Sequence, residues 1–375
     1  MILPGAMLGM LGGGQLGRMF TVAARTMGYR VLVVDPDPAS PAGSIADVHL
    51  QAEYQDKAAM QQLVSQCAVV TTEFENIPAD VLASLAESIP VRPGASCLRI
   101  AQNRIREKTF IKDCGLSTAP FVALTSVDDV DELARQMIFP AILKCAEFGY
   151  DGKGQVVVNS VEETRTAFEA LGHVPCVLEQ KIDLKQEISV VLARGIDGAS
   201  RCFPIAENTH REGILHQTVV PAAVDGLVEQ AAYQMAIQLA DALAFEGVMA
   251  VEFFISEGNQ LLVNEIAPRT HNSGHFTLDA CVTSQFEQQV RMVCGLPFGS
   301  TRLLSPVVMV NLLGDLWPEQ AQPDWHKLLS HPELKLHLYG KHTARKGRKM
   351  GHFCLLDRLG VGLSGTAEDL WGLLP

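Results

Sequence analysis

The chain has nine cysteines among 375 residues, and no two form a Cys-x-x-Cys pair. That excludes a zinc knuckle or dithiol centre built on this spacing. The number is odd and most of these cysteines sit beside apolar residues, the pattern of free buried thiols in a reducing cytosol. Positive charge is also scarce: 30 lysines and arginines stand against 42 aspartates and glutamates, a net charge of −12. Such a surface repels nucleic-acid phosphates and anionic lipid, so neither is an expected partner. Any anionic ligand then needs a local basic cluster. Residues 1–14 lack a basic flank and are rich in glycine, which makes a poor signal peptide. No apolar run reaches membrane-spanning length, and no repeat or low-complexity stretch appears. The expectation is a soluble cytoplasmic protein. Its 47% hydrophobic content supplies a large core, and its length suits two or three domains.

The first hundred residues alternate strand and helix signals. A short apolar run at 7–11 precedes a helix over 15–27, with Leu16, Met19, Phe20 and Ala23 on one side. A β-branched strand over 30–35 ends in Asp35, and a helix near 58–66 leads to a strand at 68–72. A further helix over 77–88 completes the unit, and strands separated by helices imply a parallel, doubly wound sheet. Residues 103–114 read as a charged connecting helix. Strands over 139–144 and 155–159 flank a polar, glycine-rich segment at 147–154. A helix over 161–171 and a strand over 176–180 follow. Residues 187–194 and 201–206 read as antiparallel strands about a glycine turn, and 228–244 as a long helix. Residues 248–255 and 260–266 form a hairpin about the turn 256–259.

Five constellations could carry chemistry. Gly12-Gly13-Gly14-Gln15-Leu16-Gly17 matches G-x-G-x-x-G between a strand and a helix, with Asp35 near the position of a ribose-binding acid. This pattern predicts a nucleotide-binding-like βαβ unit; the plainer reading is glycine needed only for a tight turn. Lys144 ends a strand just before Phe148-Gly-Tyr-Asp-Gly-Lys-Gly-Gln155. Glycines let backbone N–H groups approach phosphate oxygens while the lysine adds a point charge. Glu252 and Glu265 lie on the two arms of the apolar hairpin. With a two- or four-residue turn, 255 pairs with 260 and 252 with 263, so both acids share one face. A three-residue turn would put them on opposite faces. Two carboxylates on one apolar face need a cation, and an all-oxygen pair suits Mg²⁺. Arg269, His271, Asn272 and Ser273 follow in the turn after that hairpin. Finally, five of the nine residues over 341–349 are lysine or arginine, and Gly347 within that run favours a phosphate-gripping loop.

Taken in order, Gly14-Gln-Leu-Gly-Arg-Met19, Thr72-Glu-Phe-Glu-Asn76, Gly149-Tyr-Asp-Gly-Lys-Gly-Gln155, Asn264-Glu-Ile-Ala-Pro-Arg269, His271-Asn-Ser-Gly-His275 and Gly347-Arg-Lys-Met-Gly-His352 resemble the segments of one family. It is the N5-carboxyaminoimidazole ribonucleotide synthetases, ATP-grasp enzymes of purine biosynthesis. The resemblance spans about 7–375. It implies a mixed α/β and α+β, ATP-grasp architecture: an N-terminal Rossmann-like domain at 1–105, an ATP-grasp region at 106–300 with a lid at about 120–190, and a C-terminal substrate-binding segment at 301–375.

The resemblance also implies the site. ATP would meet Arg104, Lys144, the loop residues Gly149, Tyr150, Asp151, Gly152, Lys153, Gly154 and Gln155, and also His210, Asn264 and Glu265. Glu179, Gln180, Lys181 and Ile182 would form the adenine hinge, chiefly through backbone groups, and Glu187 would bind the ribose. Glu252 and Glu265 would hold Mg²⁺ or Mn²⁺. Aminoimidazole ribonucleotide would meet Gln15, Glu73, Tyr150, Asp151, Arg269, His271, Asn272, Ser273, Lys341 and Arg348. The catalytic set would be Tyr150, Asp151, Lys153, Arg269 and Lys341, with Asp151 the candidate base. The implied reaction phosphorylates bicarbonate with ATP and passes the carboxyl group to the ribonucleotide amine. The chain departs from the family at Cys145-Ala-Glu-Phe148, where a basic, glycine-rich lead-in is usual: Glu147 removes positive charge and Phe148 stiffens the loop. A homodimer is the implied assembly. Two other readings stand beside this one: an ATP-grasp ligase or transformylase of another substrate, and an NAD-binding oxidoreductase using Gly12–Gly17 and Asp35.

Overall fold

The computed structural model describes residues 1–147, 154–318, 321–357 and 362–374. Four parallel strands open the chain: β1 (Met7–Leu11), β2 (Arg30–Val34), β3 (Val48–Leu50) and β4 (Val69–Thr72), in the order β3-β2-β1-β4. Both faces of β1 are covered, so its residues are all buried and read as an unbroken apolar run. The helix Gln15–Thr26 packs Leu16, Met19 and Phe20 inward, with Ala24 rather than Ala23 fully buried.

A second, antiparallel sheet holds β5 (Phe121–Leu124), β6 (Ala141–Cys145), β7 (Gln155–Val158) and β8 (Cys176–Gln180), ordered β5-β8-β6-β7. Leu124, Val130, Leu143, Phe168 and Leu178 give it a core of its own. Asn103 caps the helix Arg104–Asp113 by accepting from the N–H groups of Ile105 and Arg106. The Asn103 amide also donates to Glu147 at 2.9 Å, and Arg104 N–H donates to the Ala146 carbonyl at 2.8 Å. Glu147 thus ties the lead-in of the glycine-rich segment to this helix start.

The large sheet has nine strands: β9 (Leu184–Arg194), β10 (Ser200–Cys202), β11 (Ala206–Arg211), β12 (Ile214–Val220), β13 (Gly247–Ser256), β14 (Leu261–Ala267), β15 (Val307–Leu313), β16 (Leu334–Leu338) and β17 (Lys349–Leu356). The expected single strand over 201–206 is two strands. Pro204 has no N–H for the ladder, so β10 ends at Cys202 and β11 begins at Ala206.

The hairpin register also differs from expectation. Ser256 N–H donates to the Gln260 carbonyl at 3.0 Å, and Asn259 takes a φ of +58°. The turn is therefore the three-residue kind, with a left-handed residue at its end. Ile255 pairs with Leu261 and Phe253 with Val263, not 255 with 260. Continued regularly, that register would put the two acids on opposite faces. It is interrupted at Asn264, an extra residue on β14, and Glu252 then pairs directly with Glu265.

Candidate active site

A cavity of about 350 Å³ lies over one face of the large sheet. Its floor carries Glu187 from β9, His210 from β11, Glu252 and Phe254 from β13, and Asn264 and Glu265 from β14. Period-2 alternation explains the grouping. Glu187 pairs with Phe254, two residues from Glu252 on the same face. Ile142, Lys144, Ala146 and Gln155 roof it, Arg104 and Glu107 close one side, and Glu75, Asn76, Arg269, His271, Asn272 and Lys349 form the far end.

Acidic groups crowd this floor. Burial and then the neighbouring Glu265 raise the Glu252 carboxyl to about 8, and the same two causes raise Glu107 to about 8. Glu107 accepts from Ile266 N–H at 2.6 Å, while Arg104 stands 3.8 Å from Glu265. His210 Nδ1 lies 2.8 Å from Glu187; burial opposes its charge, but this carboxylate outweighs burial and raises the histidine. Among the described residues no three His, Cys, Asp or Glu side chains are grouped as a self-sufficient metal cage. The Glu252–Glu265 pair is instead an open two-carboxylate edge with excess negative charge.

On the roof, Lys144 Nζ lies 3.1 Å from Glu179 Oε2, and Lys108 Nζ approaches the same oxygen at 3.2 Å. Lys108 and Glu179 are almost wholly buried, with side chains 2% and 3% exposed. Burial pushes the Glu179 carboxyl up, but the two lysines outweigh it and hold it below the usual range. Burial lowers Lys144, which sits between that carboxylate and the cavity. Of the expected hinge, Gln180 N–H donates to Pro120 and Lys181 N–H to Pro140, at 2.9 and 3.1 Å. Those two donors are engaged within the fold.

At the far end Arg269 grips both oxygens of Glu75 along one guanidinium edge, through Nε and Nη2, the Nη2–Oε1 contact being 3.1 Å. Burial works against its charge, but Glu75 keeps Arg269 charged. Burial and then Arg269 hold His271 well below its ordinary value, so it is neutral. Asn272 lines the cavity, whereas Ser273 is fully buried behind His271.

The remaining expected residues lie elsewhere. Gly149, Tyr150, Asp151, Gly152 and Lys153 fall outside the described residues, and Gly154 accepts from Cys145 N–H at 2.9 Å. Ile182 lies two residues beyond the end of β8. Lys341 and Arg348 are not on the cavity wall: Lys341 Nζ donates to the Lys349 carbonyl at 2.6 Å, and Arg348 to the Thr343 carbonyl at 2.7 Å. Gly347 does not offer its N–H to a phosphate, because that group donates to Asp315 at 2.8 Å. The basic run instead presents Lys349 to the cavity.

Gln15 opens the first helix, and the glycine loop before it is filled from within. Gly14 N–H and Gly17 N–H both donate to the carboxylate of Glu73, the latter at 2.7 Å, and Gly13 N–H donates to Asp35 at 2.6 Å. Asp35 also accepts from Tyr54, at 3.1 Å. A Cβ on Gly12 would stand 2.5 Å from Glu73 Cγ, so glycine is needed to admit that side chain. The donors that a dinucleotide phosphate would use are occupied by this chain's own acids.

Sequence reasoning missed Glu75, Glu107, Lys108 and Lys349. The spacing of Glu75 from Glu73 within Thr72–Asn76 is the signal the sequence offers. All nine cysteines are free. No described helix is long and apolar enough to cross a membrane.

Three family models match: a ribonucleotide synthetase preATP-grasp domain over 6–102, an ATP-grasp domain over 109–286, and a phosphoribosylaminoimidazole carboxylase C-terminal domain over 307–359. The N5-carboxyaminoimidazole ribonucleotide synthase of Bacillus subtilis strain 168 is 45% identical over 371 residues, 99% of this chain and 94% of that protein. The N5-carboxyaminoimidazole synthetase of Staphylococcus aureus complexed with ADP superposes with a TM-score of 0.92 at 38% identity, covering 99% of this chain and 98% of that one. The Aspergillus clavatus synthase in complex with ADP and 5-aminoimidazole ribonucleotide gives 0.91 at 30% identity, with 98% of each chain covered.

Proposed function

Because the chain belongs to the N5-carboxyaminoimidazole ribonucleotide synthases, ATP-grasp ligases of purine biosynthesis, we propose that its cavity carries out the ATP- and bicarbonate-dependent carboxylation of 5-aminoimidazole ribonucleotide through carboxyphosphate. The observation that carries this reading is a cavity in which Lys144, Arg104, Arg269 and Lys349 face five acids, Glu75, Glu107, Glu187, Glu252 and Glu265. Every proposed substrate is an anion. The cations bind them, and the acids fit a ribose and a metal.

Glu252 and Glu265 would hold Mg²⁺, which suits two carboxylates completed by nucleotide phosphates. It would neutralise charge on the phosphates of ATP. The raised Glu252 carboxyl supports this assignment, since an added cation relieves the charge that keeps it protonated.

Lys144 would steady the phosphates. A bicarbonate oxygen attacks the γ-phosphorus, ADP leaves, and carboxyphosphate forms. The exocyclic amine of the ribonucleotide then attacks the carboxyl carbon, phosphate leaves, and the amine gives up a proton. Arg269 and Lys349 would hold the anionic intermediate against Coulomb repulsion. Asp151, outside the described residues, remains the proposed base, with Tyr150 and Lys153 beside it. Lys341, whose charge acts on Glu73, and Arg348, whose charge meets Asp37, would bind the ribonucleotide phosphate, and Gln15 and Glu73 would bound that end. Closure over the cavity would keep water from the intermediate. We assign residues 1–105, 106–300 and 301–375 as the functional units and a homodimer as the assembly, which sedimentation velocity can check.

The test is phosphate release from ATP with bicarbonate, with and without the ribonucleotide. The expected result is ribonucleotide-stimulated release and an acid-labile carboxylated product. Release that ignores the ribonucleotide would overturn the reading.

A further inference from the structure

A polar line runs through the buried floor beneath Glu252. Thr218, Ser189 and Ser273 are fully buried, and Asn208 nearly so. Thr218 Oγ1 lies 2.9 Å from Asn208 Oδ1, Asn208 Nδ2 lies 2.9 Å from Ser189 Oγ, and Ser189 Oγ lies 2.7 Å from Ser273 Oγ. Ser273 Oγ is in turn 2.9 Å from His271 Nδ1. The far ring nitrogen, Nε2, stands 3.4 Å from Glu252 Oε1 at the cavity wall.

The direction of this line is fixed at one end. The backbone N–H of Ser273 points at His271 Nδ1 at 3.3 Å. A backbone N–H can only donate, so Nδ1 is an acceptor without a proton. The Ser273 hydroxyl, bonded to the same nitrogen, must therefore donate to it. Its oxygen then accepts from the Ser189 hydroxyl. Ser189 accepts from the amide nitrogen of Asn208, whose oxygen accepts from Thr218. Each group has one arrangement compatible with its neighbour. The His271 backbone is also held: Gln285 accepts from its backbone N–H at 2.9 Å and donates to its backbone carbonyl at 2.7 Å.

We infer that the one-way relay of Thr218, Asn208, Ser189 and Ser273, together with the Ser273 backbone N–H, holds His271 as the neutral Nε2–H tautomer. His271 thereby presents a proton donor, and not a base, to the anions in the cavity. The four relay residues are positioning residues that act through His271. With its acceptor nitrogen turned into the fold, His271 cannot take the proton that the amine gives up. It steadies the carboxylate of Glu252 or an oxygen of the carboxyl intermediate. The tautomer stands on this structure alone; its effect on rate rests on the proposed carboxylation.

The test uses the full chain with ¹⁵N-labelled histidines and two-bond ¹H–¹⁵N spectra, with His271→Gln to assign the signal. The expected wild-type pattern is the Nε2–H tautomer near neutral pH. Asn208→Asp replaces the donor with an acceptor, which draws the Ser189 proton back and shifts His271 toward the Nδ1–H form. Ser189→Ala, a smaller change that keeps the fold if the aspartate does not, gives a mixture of tautomers. It also lowers kcat about 10- to 100-fold with the KM for ATP unchanged, and Ser189→Thr restores both. A wild-type Nδ1–H or imidazolium signal, or an unchanged tautomer in folded Ser189→Ala, would overturn the inference. Failure of the carboxylation reading is separately visible, as wild-type phosphate release that ignores the ribonucleotide.

Discussion

Glu252 and Glu265 stand directly opposite each other across β13 and β14, and the bulge at Asn264 is what brings them to one face. Burial, and then the nearness of Glu265, raise Glu252 to about 8 from an ordinary 4.5. An acid raised on folding makes the native state bind more protons than the unfolded chain, so stability falls as pH rises between those values. Metal-free protein should lose thermal midpoint from pH 4.5 to 8 through this group. Adding MgCl₂ with an ATP analogue should restore more at the alkaline end. Thermal shift across pH, with and without metal, checks this. A metal effect equal at both ends would count against the pair as ligands.

Glu252→Gln should separate stability from activity. Removing one of two repelling acids leaves the metal-free midpoint unchanged or higher, while the Mg²⁺ requirement rises about 10- to 100-fold. Titration of activity against Mg²⁺ reads this directly.

One carboxylate oxygen of Glu179 meets two ammonium groups, the buried Lys108 and the cavity-lining Lys144. Glu179→Gln removes that charge and leaves Lys108 and Lys144 facing each other, at a cost of about 3–5 kcal/mol. Urea unfolding measures it; a loss below about 1 kcal/mol would mean that water reaches these ammonium groups.

Glu75 fixes the guanidinium of Arg269 on two contacts. Glu75→Ala frees that group and should raise the KM for the ribonucleotide about tenfold while the KM for ATP stays constant. Initial rates with each substrate varied in turn decide it. A change confined to ATP would place Arg269 in the nucleotide half of the cavity.

Much of this was legible in the sequence, and what was not has definite causes. The strands β2 and β4 show as β-branched runs and β1 as a short apolar run, because burial on both faces leaves no polar alternation. The hairpin acids were legible too. Their pairing was not, since a three-residue turn and a bulge cancel each other and neither has a strong local signature. Residues 103–114 read as a charged connecting helix, for Glu107 and Lys108 are charged. Their partners, Ile266 and Glu179, are far along the chain, so only folding reveals that they are buried. Lys349 was hidden in a run of like residues. Which of them reaches the cavity depends on Asp315 taking Gly347.

Gly14→Ala tests the filled glycine loop. The added Cβ would lie 2.5 Å from Glu73 Oε1, and overpacking of this kind costs about 1–3 kcal/mol. Chemical denaturation should show that loss, and Glu73→Ala in the same chain should recover part of it.

The carboxylate of Glu73 in that loop bears on how glycine fingerprints are read. In this domain the pattern records how near an acid at the end of the fourth strand comes to the backbone. The same string in another chain therefore poses a question of competition. Where an acid follows the strand beside the glycine turn, the turn has an occupant encoded in its own gene product, and an external nucleotide has to be sought at another address.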